Sequence, residues 1–228
     1  SPVILTAFTA DGQSVVSVSK DKIKLWNSAS GSQQSEFEGL KGQVTCAAQS
    51  LDCRRLACAF SDGQVAVYDV RGGGEPKQLR AVATPVLSLA LAPDGEVLAL
   101  GSKDKVEIWN VRTALRIRSL GASQEVVALA FSPDSQLLSK VGRSGSAKVW
   151  KAGIWQAIGS LQKDRDLLAF GPDGRIAAVV TRGRKVEFIH TQSGGVQCAV
   201  EFNPTVGPVC QLAFGPDGRH VASAHSDG

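Results

Sequence analysis

One tetrapeptide governs how this chain can fold: a turn centred on aspartate that returns at near-constant spacing. Its copies are Thr9-Ala10-Asp11-Gly12, Ala92-Pro93-Asp94-Gly95, Ser132-Pro133-Asp134-Ser135, Gly171-Pro172-Asp173-Gly174 and Gly215-Pro216-Asp217-Gly218. A weaker copy, Ser50-Leu51-Asp52-Cys53, fills the one gap. Successive aspartates stand 39 to 44 residues apart, within or close to the ~40–45 residues of a four-stranded repeating unit. Proline fixes φ, and Asp or Gly accepts tight-turn geometry, so each copy reads as a hairpin turn.

A second marker keeps the same phase. It runs Ile23-Lys24-Leu25-Trp26, Val65-Ala66-Val67-Tyr68, Val106-Glu107-Ile108-Trp109 and Ala147-Lys148-Val149-Trp150, with Val186-Glu187-Phe188-Ile189 in the fifth copy. Within each unit the hydrophobic pattern has period two. Val126–Phe131 is an apolar, buried-strand run; the Pro-Asp turn follows, then Leu137-Leu138, then the alternating Ala147–Trp150. No convincing amphipathic helix is found, and residues 154–161 fall where a fourth strand belongs.

The combined unit, an apolar strand ending in A-F-S-P-D-G and then S-x-D-x-x-V-x-I-W-N, resembles the WD40 repeat over essentially the whole chain. The resemblance implies an all-β fold, a WD40-like β-propeller of five full blades plus a partial sixth, each blade with strands in sequence order around a central channel. The expected units are approximately 1–40, 41–81, 82–122, 123–162, 163–204 and 205–228. In the first, strands are expected near Val3–Phe8, Val15–Ser19, Ile23–Asn27 and Gln34–Phe37. A seven-bladed ring at this period takes roughly 280–300 residues; with 228 here, the remaining strands are expected from the rest of a longer chain.

Departures from the family pattern are informative. The closing Trp-Asp pair reads Trp26-Asn27, Tyr68-Asp69, Trp109-Asn110, Trp150-Lys151 and Ile189-His190, so only the second copy keeps Asp. The Gly-His pair expected before the first strand is absent; the histidines are His190, His220 and His225. The family's Asp-His-Ser-Trp hydrogen-bond cluster is therefore incomplete, and blade stability is expected to rest on packing. Gln49, at the place of Phe131 and Phe214, weakens the second blade.

Composition narrows the function classes. Hydrophobic residues make up 43% and charged residues 20%, the make-up of a globular domain, and no apolar run approaches a membrane span. Lys and Arg number 25 against 21 acidic residues, for +4, too mild alone to indicate nucleic acid. The five cysteines contain no CxxC and have no local histidine. They read as reduced thiols, with Cys46, Cys58 and Cys210 as small core fillers, in an intracellular, cytoplasmic protein, nuclear or nucleolar settings being the alternatives.

No catalytic constellation falls outside the repeat logic, so no enzyme, cofactor or metal site is expected. The repeated aspartates are turn residues. Gly72-Gly73-Gly74 lacks the Lys-Ser/Thr and helix of a phosphate loop and reads as a connection between outer strands. The turns between second and third strands carry Lys20, Lys22, Lys103, Lys105, Arg143, Arg182, Arg184 and Lys185. In the family these turns share one face, so the alternatives are a solvated rim or a basic docking rim for an acidic peptide, a protein partner or a phosphate backbone. Trp155, out of phase on an expected outer strand, either covers the blade edge or contacts a partner. The leading function is a non-catalytic protein–protein interaction scaffold or sensor module, part of a larger chain or multiprotein assembly. The alternative is an RNA-processing or ribonucleoprotein component binding through the basic rim, and a remote one is an enzyme on a propeller scaffold. Protein partners are favoured over RNA, since the turns are poor in stacking aromatics, and no membrane is implied.

Overall fold

The structure, a computed structural model, describes all residues except 1, 10, 38–41, 71, 73, 80–84, 144, 162–164, 182, 183, 192, 194, 204, 216 and 228, and the side chains of 159–161, 165 and 166. Every element described is a strand. Two compact units, Ser1–Ser123 and Gln124–Gly228, make up the chain.

The first unit holds three antiparallel sheets, each a simple meander. The first contains β1 (Val3–Phe8), β2 (Ser14–Ser19), β3 (Ile23–Asn27) and β4 (Gln33–Phe37). The second contains β5 (Val44–Gln49), β6 (Arg55–Phe60), β7 (Val65–Asp69) and β8 (Lys77–Leu79). The third contains β9 (Ser88–Leu91), β10 (Val97–Gly101), β11 (Lys105–Asn110) and β12 (Leu115–Gly121). The second unit repeats the plan with β13 (Val126–Phe131), β14 (Leu137–Gly142), β15 (Ala147–Lys151) and β16 (Gln156–Leu161), and with β17 (Arg165–Phe170), β18 (Ile176–Thr181), β19 (Lys185–His190) and β20 (Val196–Glu201). β21 (Val209–Phe214) and β22 (Val221–His225) form a two-stranded sheet. Among the described residues, five four-stranded sheets and one two-stranded sheet are the strand content expected of a β-propeller with five full blades and part of a sixth.

The aspartate turns join first to second strands and explain the periodic tetrapeptide. Each closes with an i to i+3 backbone bond, as in Gly95 N to Ala92 O at 2.8 Å and Gly218 N to Gly215 O at 3.0 Å. The aspartate then accepts the N–H two residues on: Gln13 to Asp11, Arg54 to Asp52, Glu96 to Asp94, Gln136 to Asp134, Arg175 to Asp173 and Arg219 to Asp217, at 2.9–3.1 Å. The fourth turn residue is left-handed, with φ of 71° at Gly95 and 67° at Gly218, which is why glycine recurs there; Cys53 at 55° and Ser135 at 58° hold the same conformation with a side chain.

The core lies between neighbouring sheets. Val16, Val18 and Ile23 pack with Leu56, Cys58 and Tyr68, and Ala57, Val65 and Val67 pack with Leu98, Leu100 and Trp109. In the second unit Leu137 and Val149 meet Phe170, Val179 and Ile189. The hydrogen-bond cluster of the repeat survives in reduced form: Trp26 Nε1 donates to Ser17 Oγ at 2.8 Å. In the second sheet Cys58 stands where Ser17 does, and the buried Tyr68 hydroxyl has no partner among the described residues; burial pushes its phenol up to about 12. Gln49 shows a related defect. Its Oε1 is buried without a partner among the described residues, the cost of an amide where most sibling sheets carry phenylalanine.

Two side-chain expectations are corrected. Trp155 is not on the outer strand. Its N–H bonds to Lys151 O at 2.8 Å, closing a five-residue turn whose last residue is left-handed (φ 55°), so β16 begins one residue later. Trp155 is buried, 7% exposed. Of the cysteine core fillers, Cys58 is buried and Cys46 half-buried, whereas Cys210 is exposed, at the register shift between Val209 and Gln211 that interrupts strand alternation.

Candidate functional site

The turns between second and third strands are held by backbone hydrogen bonds and carry charged side chains. Ser19 N bonds to Lys22 O at 2.8 Å and Ser102 N to Lys105 O at 2.9 Å, closing two of them. Each is also tied to the following connection, Val44 N to Lys20 O at 2.7 Å and Ala122 N to Asp104 O at 2.8 Å. In the second unit Phe202 N bonds to Arg184 O in the corresponding way. Within the turns, Ser19 donates to Asp21 and Ser102 to Asp104, and Gln64 N donates to Asp62 at 2.9 Å.

The basic side chains divide into two groups. Lys22 pairs with Glu36 at 3.0 Å, Lys105 with Glu107 at 3.0 Å, Lys185 with Glu187 at 2.9 Å, and Arg143 with Glu125. The hydrogen bond from Lys22 is the largest influence on Glu36 and helps hold its carboxyl below the ordinary 4.5. Glu107 is the most enclosed of these carboxylates, its side chain 3% exposed, and it also accepts Arg116 at 2.9 Å and Trp109 Nε1 at 3.3 Å. Lys20 and Lys103 in the first unit and Arg184 in the second are exposed and make no ion pair among the described residues. Arg182 lies outside the described residues, as does Gly73 of the glycine run, in which Gly72 N bonds to Asp69 Oδ1.

The repeated aspartates occupy their own turns, and among the described residues no group of three or more His, Cys, Asp or Glu side chains is placed to hold a metal. Burial pushes the Cys46 thiol up to about 11 and the Cys58 thiol up to about 12, away from nucleophilic reactivity. No helix of the described residues is long and apolar enough to cross a membrane.

Within the second unit, a set of residues outside the second-to-third-strand turns lines one groove. A groove between the sheets β13–β16 and β17–β20, of about 980 Å³, is lined by Lys151, Arg175, His190, Leu137 and Ile158, together with Asp134 and Asp173. Sequence reasoning missed it, although the signal was present: Lys151 and His190 are the two basic departures from the Trp-Asp pair.

A sequence profile described as WD domain, G-beta repeat matches residues 31–69, 115–151 and 196–228. The chain belongs to the WD40 repeat family. It is 28% identical over 208 residues to a periodic tryptophan protein 2 of Arabidopsis thaliana, covering 85% of this chain and 22% of that protein. It is 32% identical over 143 residues to an uncharacterised WD repeat-containing protein of Synechocystis, covering 60% and 41%, and 28% identical over 146 residues to small ribosomal subunit protein RACK1y of Oryza sativa, covering 60% and 43%. The WD40 chain therefore spans less than half the length of these curated relatives. Among solved structures, a chain in the crystal structure of a mitotic checkpoint complex matches with a TM-score of 0.83 over 99% of this chain and 72% of that one, at 21% identity, a likeness of fold.

Proposed function

We propose that this WD40 chain is a non-catalytic interaction module, part of a larger chain or a multiprotein assembly, that docks an acidic protein surface through the free cations of its second-to-third-strand turns. The supporting observation is the pairing pattern: Lys20, Lys103 and Arg184 stand exposed without a carboxylate partner among the described residues, on turns whose backbone is bonded both internally and to the next connection. A rigid turn with an unneutralised charge loses little entropy when a partner binds. The family's use of a fixed scaffold with variable loops supports the same reading. An intracellular setting goes with it, supported by five cysteines that form no disulfide. The test is the full chain with Lys20→Glu, Lys103→Glu and Arg184→Glu, against a partner identified by cross-linking. Charge complementarity acts chiefly on association rate, so the reversed variant is expected to associate at least tenfold more slowly, with a flattened salt dependence. Unchanged rates at every ionic strength would remove these turns from the interface.

The alternative, a ribonucleoprotein component, is favoured by one observation, the similarity to a small ribosomal subunit protein. It calls for RNA binding that falls steeply with salt, as phosphate contacts release counterions. RNA binding that ignores salt, or none, counts against it.

A further inference from the structure

We propose that the groove between β13–β16 and β17–β20 is a second docking site, which takes an extended peptide segment bearing an acidic side chain next to an apolar one. The residue that ends the third strand of each sheet carries the argument. In the first three sheets it is Asn27, Asp69 or Asn110, and its side chain is bound in its own turn: Asn27 Oδ1 accepts Ala29 N and Ser30 N, Asp69 Oδ1 accepts Gly72 N, and Asn110 Oδ1 accepts Thr113 N, at 2.7–3.0 Å. In the fourth and fifth sheets the position holds Lys151 and His190. Lysine has no acceptor with which to repeat that cap. Both side chains are exposed, neither has a hydrogen bond or ion pair among the described residues, and both line the one groove.

Two neighbouring repeats have thus exchanged a turn-capping side chain for a basic one at the same place, and Arg175, likewise unpaired, completes a set of three around the groove. Leu137, which is buried, and Ile158, 38% exposed, also line the groove and give it an apolar patch. Asp134 and Asp173 each accept one turn N–H through Oδ1. Their Oδ2 atoms suit the backbone N–H groups of an extended peptide, which is why the groove fits a peptide better than a free anion: a phosphate alone would meet both carboxylates. An acidic side chain pairing with Lys151 or Arg175 and an apolar one on Leu137 and Ile158 use all three features.

The site shares no residue with the second-to-third-strand turns, so either proposal can fail alone. The experiment is selection of random twelve-residue peptides on the full chain, with affinities of the enriched peptides then measured by fluorescence anisotropy. Enrichment of segments pairing Asp or Glu with Leu, Ile or Phe is expected. Their affinity is expected to fall at least tenfold in Lys151→Asn/His190→Asn, which restores the side-chain type used in the other sheets, and again in Arg175→Gln, with circular dichroism confirming that each variant folds. Lys20→Glu/Lys103→Glu should leave that affinity unchanged. Enriched peptides without acidic residues, or acidic peptides that bind the groove variants as tightly as the parent, would overturn the proposal. So would acidic peptides lost only in Lys20→Glu/Lys103→Glu, or a poly(U) RNA that alone binds and depends on Lys151 and Arg175.

Discussion

At the turns between second and third strands, most cations have found a carboxylate within their own sheet; in the groove between the fourth and fifth sheets, none has. Lys22, Lys105 and Lys185 pair with Glu36, Glu107 and Glu187, and Arg143 with Glu125, whereas Lys151, Arg175 and His190 have no ion pair among the described residues. The difference teaches that a charge recurring in phase with a repeat is not thereby an available charge. In a meander each strand brings its neighbour's side chains alongside, so a regular cation tends to acquire a regular anion. Availability is confined to the few turn cations no carboxylate answers, Lys20, Lys103 and Arg184, and to the places where the repeat is broken.

The comparison breaks most visibly if the neutralised end loses its foundation. Glu107 is held by Lys105, Arg116 and the Trp109 indole, and Trp109 is 6% exposed. Trp109→Ala is expected to cost ~3–5 kcal/mol in urea denaturation, the usual price of deleting a large buried aromatic; a loss under ~1 kcal/mol would mean that the core beneath these pairs is not packed as described. Glu107→Gln keeps the shape and removes the charge facing two cations. A loss of about 2 kcal/mol is expected, the range for hydrogen bonds to an ionised group, and a neutral result would deny that the pairs form in solution.

A smaller effect concerns pH. Glu36 is held below 4.5 in the folded chain by Lys22, so the unfolded chain takes up its proton first as acid is added. Its stabilising contribution is present above 4.5 and is lost as pH falls through the folded value. Melting curves of the parent and Glu36→Gln should therefore differ near neutral pH and converge below pH 4.5; a constant gap would contradict the pairing. The smallest effect is expected where no partner exists. Charge reversal at Lys20 and Lys103 should change stability by no more than about 0.5 kcal/mol, and a larger loss would reveal a partner in solution.

The fold was legible in the chain to a fine grain, because turn chemistry and the period-two pattern are both local. The strands expected near Val15–Ser19 and Gln34–Phe37 are β2 at Ser14–Ser19 and β4 at Gln33–Phe37, and Asp94-Gly95 and Asp217-Gly218 sit in tight turns as their sequence demands. What escaped depends on neighbours distant in sequence. Nothing in the turn Lys20-Asp21-Lys22 says that Glu36, on the paired strand β4, answers Lys22. Trp155 misled because the left-handed residue closing a turn is ordinarily small, as with Ala114 and Gly31, so a tryptophan there reads as strand. Lys151 and His190 were visible as departures from the Trp-Asp pair, but their release from a capping role follows only from the bonds that Asn27, Asp69 and Asn110 make.

The central claim is that paired and unpaired cations on this WD40 chain differ in availability, and trace labelling of lysines with an N-hydroxysuccinimide ester, read residue by residue by mass spectrometry, tests it most directly. At low salt Lys20, Lys103 and Lys151 are expected to react several-fold faster than Lys22, Lys105 and Lys185, and the gap should narrow as salt screens the pairs. Equal reactivity of the two groups at low salt, or a gap indifferent to salt, would contradict the account.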